Sequence, residues 1–378
     1  MPSGSSIPLP LIQQGEWFMR ICNACRYCEG YCAVFPALER RLTFAESDLS
    51  YLANLCHNCG SCYDACQYAP PHEFALNLPR ALAEIRGETY KKYAWPDFLA
   101  RLYRRNGLAV SLVTAASLAL CLVAPVLFAG PSALTSAREA KAGAFYAVIP
   151  HNAMVLVFGA VSLFVLAAFV MGFVRFWRDV GESLGALLNP VALGRAAMDV
   201  LRLKNLDGGG EGCIYPDERP SLARRRFHHL TFYGFLLCFA ATTVAAIYDY
   251  GLGWVAPYPL WSVPVLLGTA GGLGLLIGPV GLLWLRGKRN PVLSDREQRG
   301  MDLGFLWLLL LTSLTGLLLL ALRETAAMGV LLAVHLGTVL GLFLTMPYGK
   351  FAHGIYRSAA LVRYALEETR PAPKLIPD

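Results

Sequence analysis

Residues 22–32 read CNACRYCEGYC, four cysteines (Cys22, Cys25, Cys28 and Cys32) spaced C-x2-C-x2-C-x3-C. The same spacing returns 34 residues later in CHNCGSCYDAC, as Cys56, Cys59, Cys62 and Cys66. Eight of the 11 cysteines therefore belong to two copies of one pattern. A cubane [4Fe-4S] cluster takes a thiolate at each corner. A C-x2-C-x2-C loop wraps three sulfurs around three irons, and the fourth cysteine of a paired motif reaches the neighbouring cluster. That logic gives one cluster to Cys22, Cys25, Cys28 and Cys66 and a second to Cys56, Cys59, Cys62 and Cys32. Bacterial ferredoxin runs end in C-P; here Ala33 and Gln67 stand in the proline positions. Structural zinc modules favour paired C-x-x-C ligands over two runs of four. The spacing thus predicts an N-terminal α-helical dicluster ferredoxin-like domain. Because all eight thiols are used as ligands, the pattern describes an electron wire with no open iron for a substrate and no catalytic residue.

Outward from these runs the composition is far from that of a soluble protein, with 56% hydrophobic and 16% charged residues. The first 20 residues lack a charged start followed by an apolar run of signal-peptide length, so nothing exports the thiols. Cytosolic reductants would keep them reduced, which favours metal over disulfides. Up to residue 106 the chain reads as a soluble domain. Beyond it, apolar runs at 107–130, 147–174, 229–248, 261–285, 303–322 and 328–349 are each about long enough, at ~1.5 Å per residue, to cross a ~30 Å hydrocarbon core. The expectation for 107–378 is an all-α six-helix transmembrane bundle. Residues 1–106, 175–228, 286–302 and 350 onward hold 11, 9, 5 and 5 of the 33 Lys and Arg residues, leaving Arg138, Lys141 and Arg323 elsewhere. Such asymmetry predicts six spans of a bacterial inner (cytoplasmic) membrane, both termini cytoplasmic, with a basic cytoplasmic loop at 175–228. Topology, rather than nucleic acid, accounts for the net charge of +7. Pro264 and Pro279 are expected to interrupt the fourth span, where Gly268, Gly271, Gly272, Gly274 and Gly278 predict close helix packing. No strand precedes these glycines and no Lys-Ser/Thr follows them, so they are not a phosphate loop.

An ionisable side chain in a span is costly and is a functional hypothesis by default. His151, His228, His229, His335 and His353 lie in or at the edge of spans. His335 and His353 are 18 residues apart, five whole turns of one helix, so both would face the same way about 27 Å apart. That spacing would present one axial ligand to a haem b near each side of a bilayer. The inner haem pairs His353 with His228 or His229; a second haem, pairing His335 with His151, is an open alternative. Pro347 lies between the two histidines and can kink the helix. Arg224, Arg225 and Arg226 are candidates for haem propionates or plain inside-loop charge. Cys121 and Cys238 are read as packing residues, and Cys213, in GGGEGC, as a loop thiol to which the sequence assigns no role. His57 and His72 read as surface or hydrogen-bonding residues near a cluster.

CNACRYCEGYCAVFPALERR, LCHNCGSCYDACQYAPPHEFALNLP and GGGEGCIYPDERPSLARRRFHHLTFYGFLLCFA together resemble the tricarballylate-utilisation iron-sulfur membrane protein family (TcuB, also called CitB), over nearly the whole chain. The resemblance implies a soluble FAD-dependent tricarballylate dehydrogenase as partner. Its reduced flavin would be reoxidised through two [4Fe-4S] clusters and haem b toward the quinone pool. It carries over the eight motif cysteines as cluster ligands, and His229 or His228 with His353 as haem ligands. A similar module occurs fused to a flavoprotein in a cobalamin-biosynthesis oxygenase, and the 18-residue histidine spacing looks like that of the respiratory nitrate reductase cytochrome b subunit. With no dinucleotide fingerprint here, the flavin and substrate site belong to another protein. Two rival readings stand beside this one. The first is an iron-sulfur and haem partner of a flavin-dependent oxygenase in corrin-ring biosynthesis, which open haem coordination would favour. The second is a cluster-stabilised structural or sensor membrane protein, in which iron chelation changes folding and not electron flow.

Overall fold

The computed structural model describes residues 7–136, 142–217 and 219–371; Arg138 and Lys141 lie outside the described residues. The two cysteine runs, alike as strings, take different local structures. The first sits on the last turn of α1 (Leu9–Cys25), which stops where Arg26 turns left-handed, φ 56°, and bonds back to the Cys22 carbonyl. Cys28 and Cys32 then follow in turns leading to α2 (Val34–Glu39). The second run begins where α3 (Glu46–Leu55) ends, turns through Asn58 and Gly60 at φ 52° and 95°, and continues into the single turn of α4 (Ser61–Asp64). Thus one run leaves a helix and the other enters one.

The Asn77 side chain accepts from the Arg80 N–H and starts α5 (Leu78–Tyr93), with Pro79 in the first turn where its missing N–H costs nothing. Helices α1, α3 and α5 pack together. Gly15 makes this possible, since a Cβ there would sit 2.8 Å from Ile85 Cδ1.

Among the described residues six helices are long and apolar enough to cross a membrane: α6 (Asn106–Ala129), α8 (His151–Asp179), α10 (Ala223–Leu252), α11 (Val263–Lys288), α12 (Arg299–Leu322) and α13 (Met328–Thr345), the last with its following 3-10 turn. Short α7 (Ser132–Thr135), α9 (Pro190–Arg202) and α14 (Ala352–Thr369) complete the α-helices among the described residues. The strands described are a two-residue pair, β1 (Cys213–Ile214) antiparallel to β2 (Pro220–Ser221). Helices α6, α12 and α13 pack mutually, and α11 bridges α12 to α10. The α10–α11 contact is backbone-close: a Cβ at Gly278 would lie 2.4 Å from Thr231 Oγ1, and one at Gly271 2.8 Å from the Cys238 nitrogen.

Two expectations fail here. Helix α11 is continuous through Pro279, and Pro264 lies in its first turn, so neither proline interrupts the fourth span. Nor do His335 and His353 share a helix. Helix α13 ends at Thr345; a 3-10 turn with Pro347, then Gly349 extended at φ −138°, precedes α14. Pro347 has no N–H to continue the ladder, so the five-turn phase between the histidines is lost.

Helix α14 leaves the bundle and packs on α9 and α3. One core joins Phe18, Leu49 and Ile85 of the cysteine-bearing head to Phe176 and Trp177 at the end of α8 and Ala360 of α14. Glu367 of α14 accepts the Tyr51 hydroxyl at 3.1 Å and ion-pairs with Arg41 and Arg363. The head is thereby fixed to the proximal end of the bundle.

Candidate functional site

Cys22, Cys25, Cys28, Cys62 and Cys66 line a cavity of about 270 Å³. Burial and then the neighbouring thiols Cys66 and Cys25 push Cys28 up to about 11, and the same causes raise Cys22 further. Burial and then Cys59 and Cys56 raise Cys32 and Cys62. The thiols crowd one another in two sets, 22/25/28/66 and 32/56/59/62, with residual space of about 20 Å³ beside the second. Among the described residues no group of three or more His, Cys, Asp or Glu side chains is placed to hold a metal ion. Four of the thiols around one cavity are the donor set that a cubane takes, one at each corner. Crowded buried thiols that raise one another's proton affinity are the donor set that a cationic cluster relieves.

A larger cavity, about 370 Å³, lies between the head and the bundle. His57 and Asn58, from the loop of the second cysteine run, form part of its wall; His228 of α10 and His353 of α14 form another. The His228 and His353 rings have centroids 6.2 Å apart and planes 78° apart. Two imidazoles each bound at about 2 Å to one metal place their centroids roughly 6 Å apart. The His353 Nδ1–H donates to the Lys350 carbonyl, since a carbonyl only accepts, and this leaves Nε2 free. His228 Nδ1 is buried without a partner, a vacancy that a ligand site leaves. Burial, then Arg357 and Lys350, hold His353 well below the usual imidazole range, in the neutral form that ligates. This pair of residues fits a haem iron.

The cavity wall is cationic: Arg86, Arg224, Arg286, Arg289, Lys350 and Arg357 all line it. Asp302 pairs with Arg286 at 2.6 Å and Lys350 at 2.8 Å. Burial pulls Lys350 down to about 8 against the opposing pull of Asp302. Of the arginine triplet, Arg224 lines the cavity, whereas Arg225 is turned away to the Arg202 carbonyl at 2.7 Å and Asp207 at 3.5 Å.

The other histidines go elsewhere. His229 tilts against Tyr233, centroids 5.8 Å apart, so His228 is the neighbour that faces His353. His151 Nε2 pairs with Asp249 Oδ2 at 2.9 Å, and His335 Nδ1 lies 3.1 Å from Thr315 Oγ1. The structure does not bring His151 and His335 together as a pair. His57 is buried, not at the surface, its Nδ1 3.0 Å from the Leu55 carbonyl. His72 packs among Tyr68 and Phe74. Cys238 Sγ would be 2.8 Å from a Cβ at Gly271, a packing position; Cys121 is likewise half-buried within α6.

The sequence reading missed Arg86, Arg289 and Arg357. Two carried a signal: Arg86 occupies the buried stripe of α5, four residues from Leu82 and Tyr90, and Arg357 follows His353 by one turn. A cation at a core register needs buried partners.

An eight-thiol head on a bundle of six membrane-length helices, with facing histidines where the two meet, defines an iron-sulfur membrane protein. The chain belongs to the citrate utilization protein B family. Residues 16–92 match the model of the citrate utilization protein B Fer4-like domain, and residues 101–374 that of citrate utilization protein B itself. The protein named citrate utilization protein B of Escherichia coli is 54% identical over 356 residues, 94% of this chain and 92% of its own length. No solved structure matches the chain.

Proposed function

We propose that this protein is a membrane-bound electron-transfer subunit. It takes electrons from the reduced FAD of a soluble dehydrogenase and passes them to the quinone pool through two [4Fe-4S] clusters and one haem b. The observation that carries this reading is the shared wall. His57 and Asn58, embedded in the second cysteine run, also line the cavity in which His228 and His353 face each other. When bound, the clusters and the haem supply one-electron chemistry; the chain supplies distance, orientation and charge.

Cys22, Cys25, Cys28 and Cys66 hold the first cluster, and Cys32, Cys56, Cys59 and Cys62 the second. Tyr27, 69% exposed beside the first cysteine cavity, supports an approach of the flavoprotein from that side. His228 and His353 hold the haem, the second oriented by the Lys350 carbonyl. Phe232, Phe235, Phe305 and Phe351 give the cavity apolar faces suited to a porphyrin, while its six cations outnumber its acids and suit two propionates. The basic residues clustered in the head, the 175–228 and 286–302 connections and the C-terminal tail support a cytoplasmic head and cytoplasmic termini. The name of the Escherichia coli relative, citrate utilization protein B, supports a role in tricarboxylate use, and the partner in this reading is a tricarballylate dehydrogenase.

The test is an EPR-monitored redox titration of the purified protein in detergent with metals quantified on the same sample. About eight non-haem irons and two reducible cluster signals are expected. Zinc in their place removes the reading.

A further inference from the structure

The eight-ligand scheme leaves over one buried thiol beside the second cluster. Cys213, 1% exposed, packs against Cys59 with Tyr215 and Leu285. Its loop reaches this place through Gly208 and Gly212, at φ 59° and 109°. A Cβ at Gly208 would lie 2.5 Å from Ser61 Oγ, and one at Gly212 2.3 Å from Ser221, so no other residue permits the approach. Ser61 Oγ donates to the Gly212 carbonyl at 3.4 Å and latches the loop over the second run. Cys59 packs against Cys213. With Cys59 a ligating thiolate, the Cys213 thiol is the donor at this contact and the Cys59 sulfur the acceptor.

The same run is gripped by four guanidinium groups from separate parts of the fold. Arg86 donates to the Cys56 carbonyl at 2.9 Å and Arg357 to the same oxygen at 2.8 Å. Arg224 donates to the His57 and Asn58 carbonyls at 3.0 and 2.8 Å. Arg289 donates to the Asn58 carbonyl and side-chain oxygen at 3.0 and 2.7 Å. Three consecutive carbonyls therefore meet four cations. On the first run one guanidinium, the run's own exposed Arg26, donates to the Asn23 carbonyl at 3.1 Å, and the contact to a sulfur is neutral, Gln67 Nε2 to Cys25 Sγ at 3.8 Å.

We infer that the second cluster is the higher-potential member of the pair, held there by the Cys213 S–H donated to Cys59 and by the four arginines on the Cys56–Asn58 loop. This deepens the proposed function and rests on it. Reduction adds one negative charge to a cluster, and hydrogen bonds to its sulfurs and nearby cations stabilise the more negative state. One electron then passes from the reduced first cluster to the oxidised second, with no bond made and no proton moved. It collects on the side that shares a wall with the histidine cavity. Cys213 is a positioning and tuning residue, not a ligand.

The test titrates wild type, Cys213→Ser, Cys213→Ala and Arg289→Gln by EPR, with iron measured on each. Expected are full iron in all four, and a higher-potential signal that becomes harder to reduce by about tenfold in Cys213→Ala, about 59 mV for a one-electron couple. Cys213→Ser, which keeps a donor, shifts less, and Arg289→Gln moves the same signal while the lower-potential signal stays put. The inference is overturned if Cys213→Ala loses half its iron, which would make Cys213 a ligand. It is also overturned if the higher-potential signal is unmoved in both Cys213→Ala and Arg289→Gln, or if the lower one moves instead. A wild-type protein with no cluster signals removes the proposed function along with it; intact signals without the shift remove the inference alone.

Discussion

At the proximal end of the bundle two imidazoles face each other with centroids 6.2 Å apart, one with a nitrogen left unpartnered. At the distal end His151 already has Asp249, and His335, deeper in the bundle, has Thr315. All four are histidines in or beside apolar helices. What separates them is the ring each one faces. His151, His335 and His353 each have one nitrogen held by an oxygen of the protein, an arrangement that ligating histidines share. His353 also faces a second imidazole across a cavity, whereas the rings beside His151 are Tyr146 and Tyr250.

The comparison breaks most decisively at the ligands. His353→Ala or His228→Ala is expected to purify without haem while keeping its cluster iron, read by pyridine haemochrome and iron assays. His151→Ala and His335→Ala should keep full haem, and haem loss in either distal variant would reverse the assignment of the two ends. A smaller effect is expected from Asp302→Asn, which leaves Lys350 and Arg286 short of their shared acceptor at the cavity wall. We expect a loss of about 2 kcal/mol, seen as a lower midpoint in thermal unfolding of the detergent-solubilised protein. Asp249→Asn weakens only the distal pair, by about 1 kcal/mol and with unchanged haem spectrum. The smallest effect belongs to His229→Ala, within about 0.5 kcal/mol of wild type and with full haem; a haem-free His229→Ala would show that the wrong neighbour has been chosen.

These contrasts also show what the string of residues could carry. The cysteine spacing is local, so it was legible at once, as were the six apolar runs, whose length against the bilayer needs no tertiary information. The glycines of residues 271–278 likewise announced a close helix contact. The cavity was legible only in part, because its wall is assembled from α5, α10, α11, α12, α14 and the second cysteine loop. His228 and His229 are indistinguishable by position in sequence, and only the helix phase against α14 separates them. The five-turn arithmetic from His335 to His353 assumed a continuous helix, which Pro347 and Gly349 end. Cys213 and Arg289 lie far along the chain from the loop they touch, and nothing local marks either residue.

The measurement that bears most directly on the account is the haem-to-chain ratio of the purified protein, taken with its low-temperature EPR spectrum. One low-spin haem per chain with two axial histidines, abolished in His353→Ala and untouched in His335→Ala, is the predicted result. No haem, or a haem that persists without His353, would contradict it.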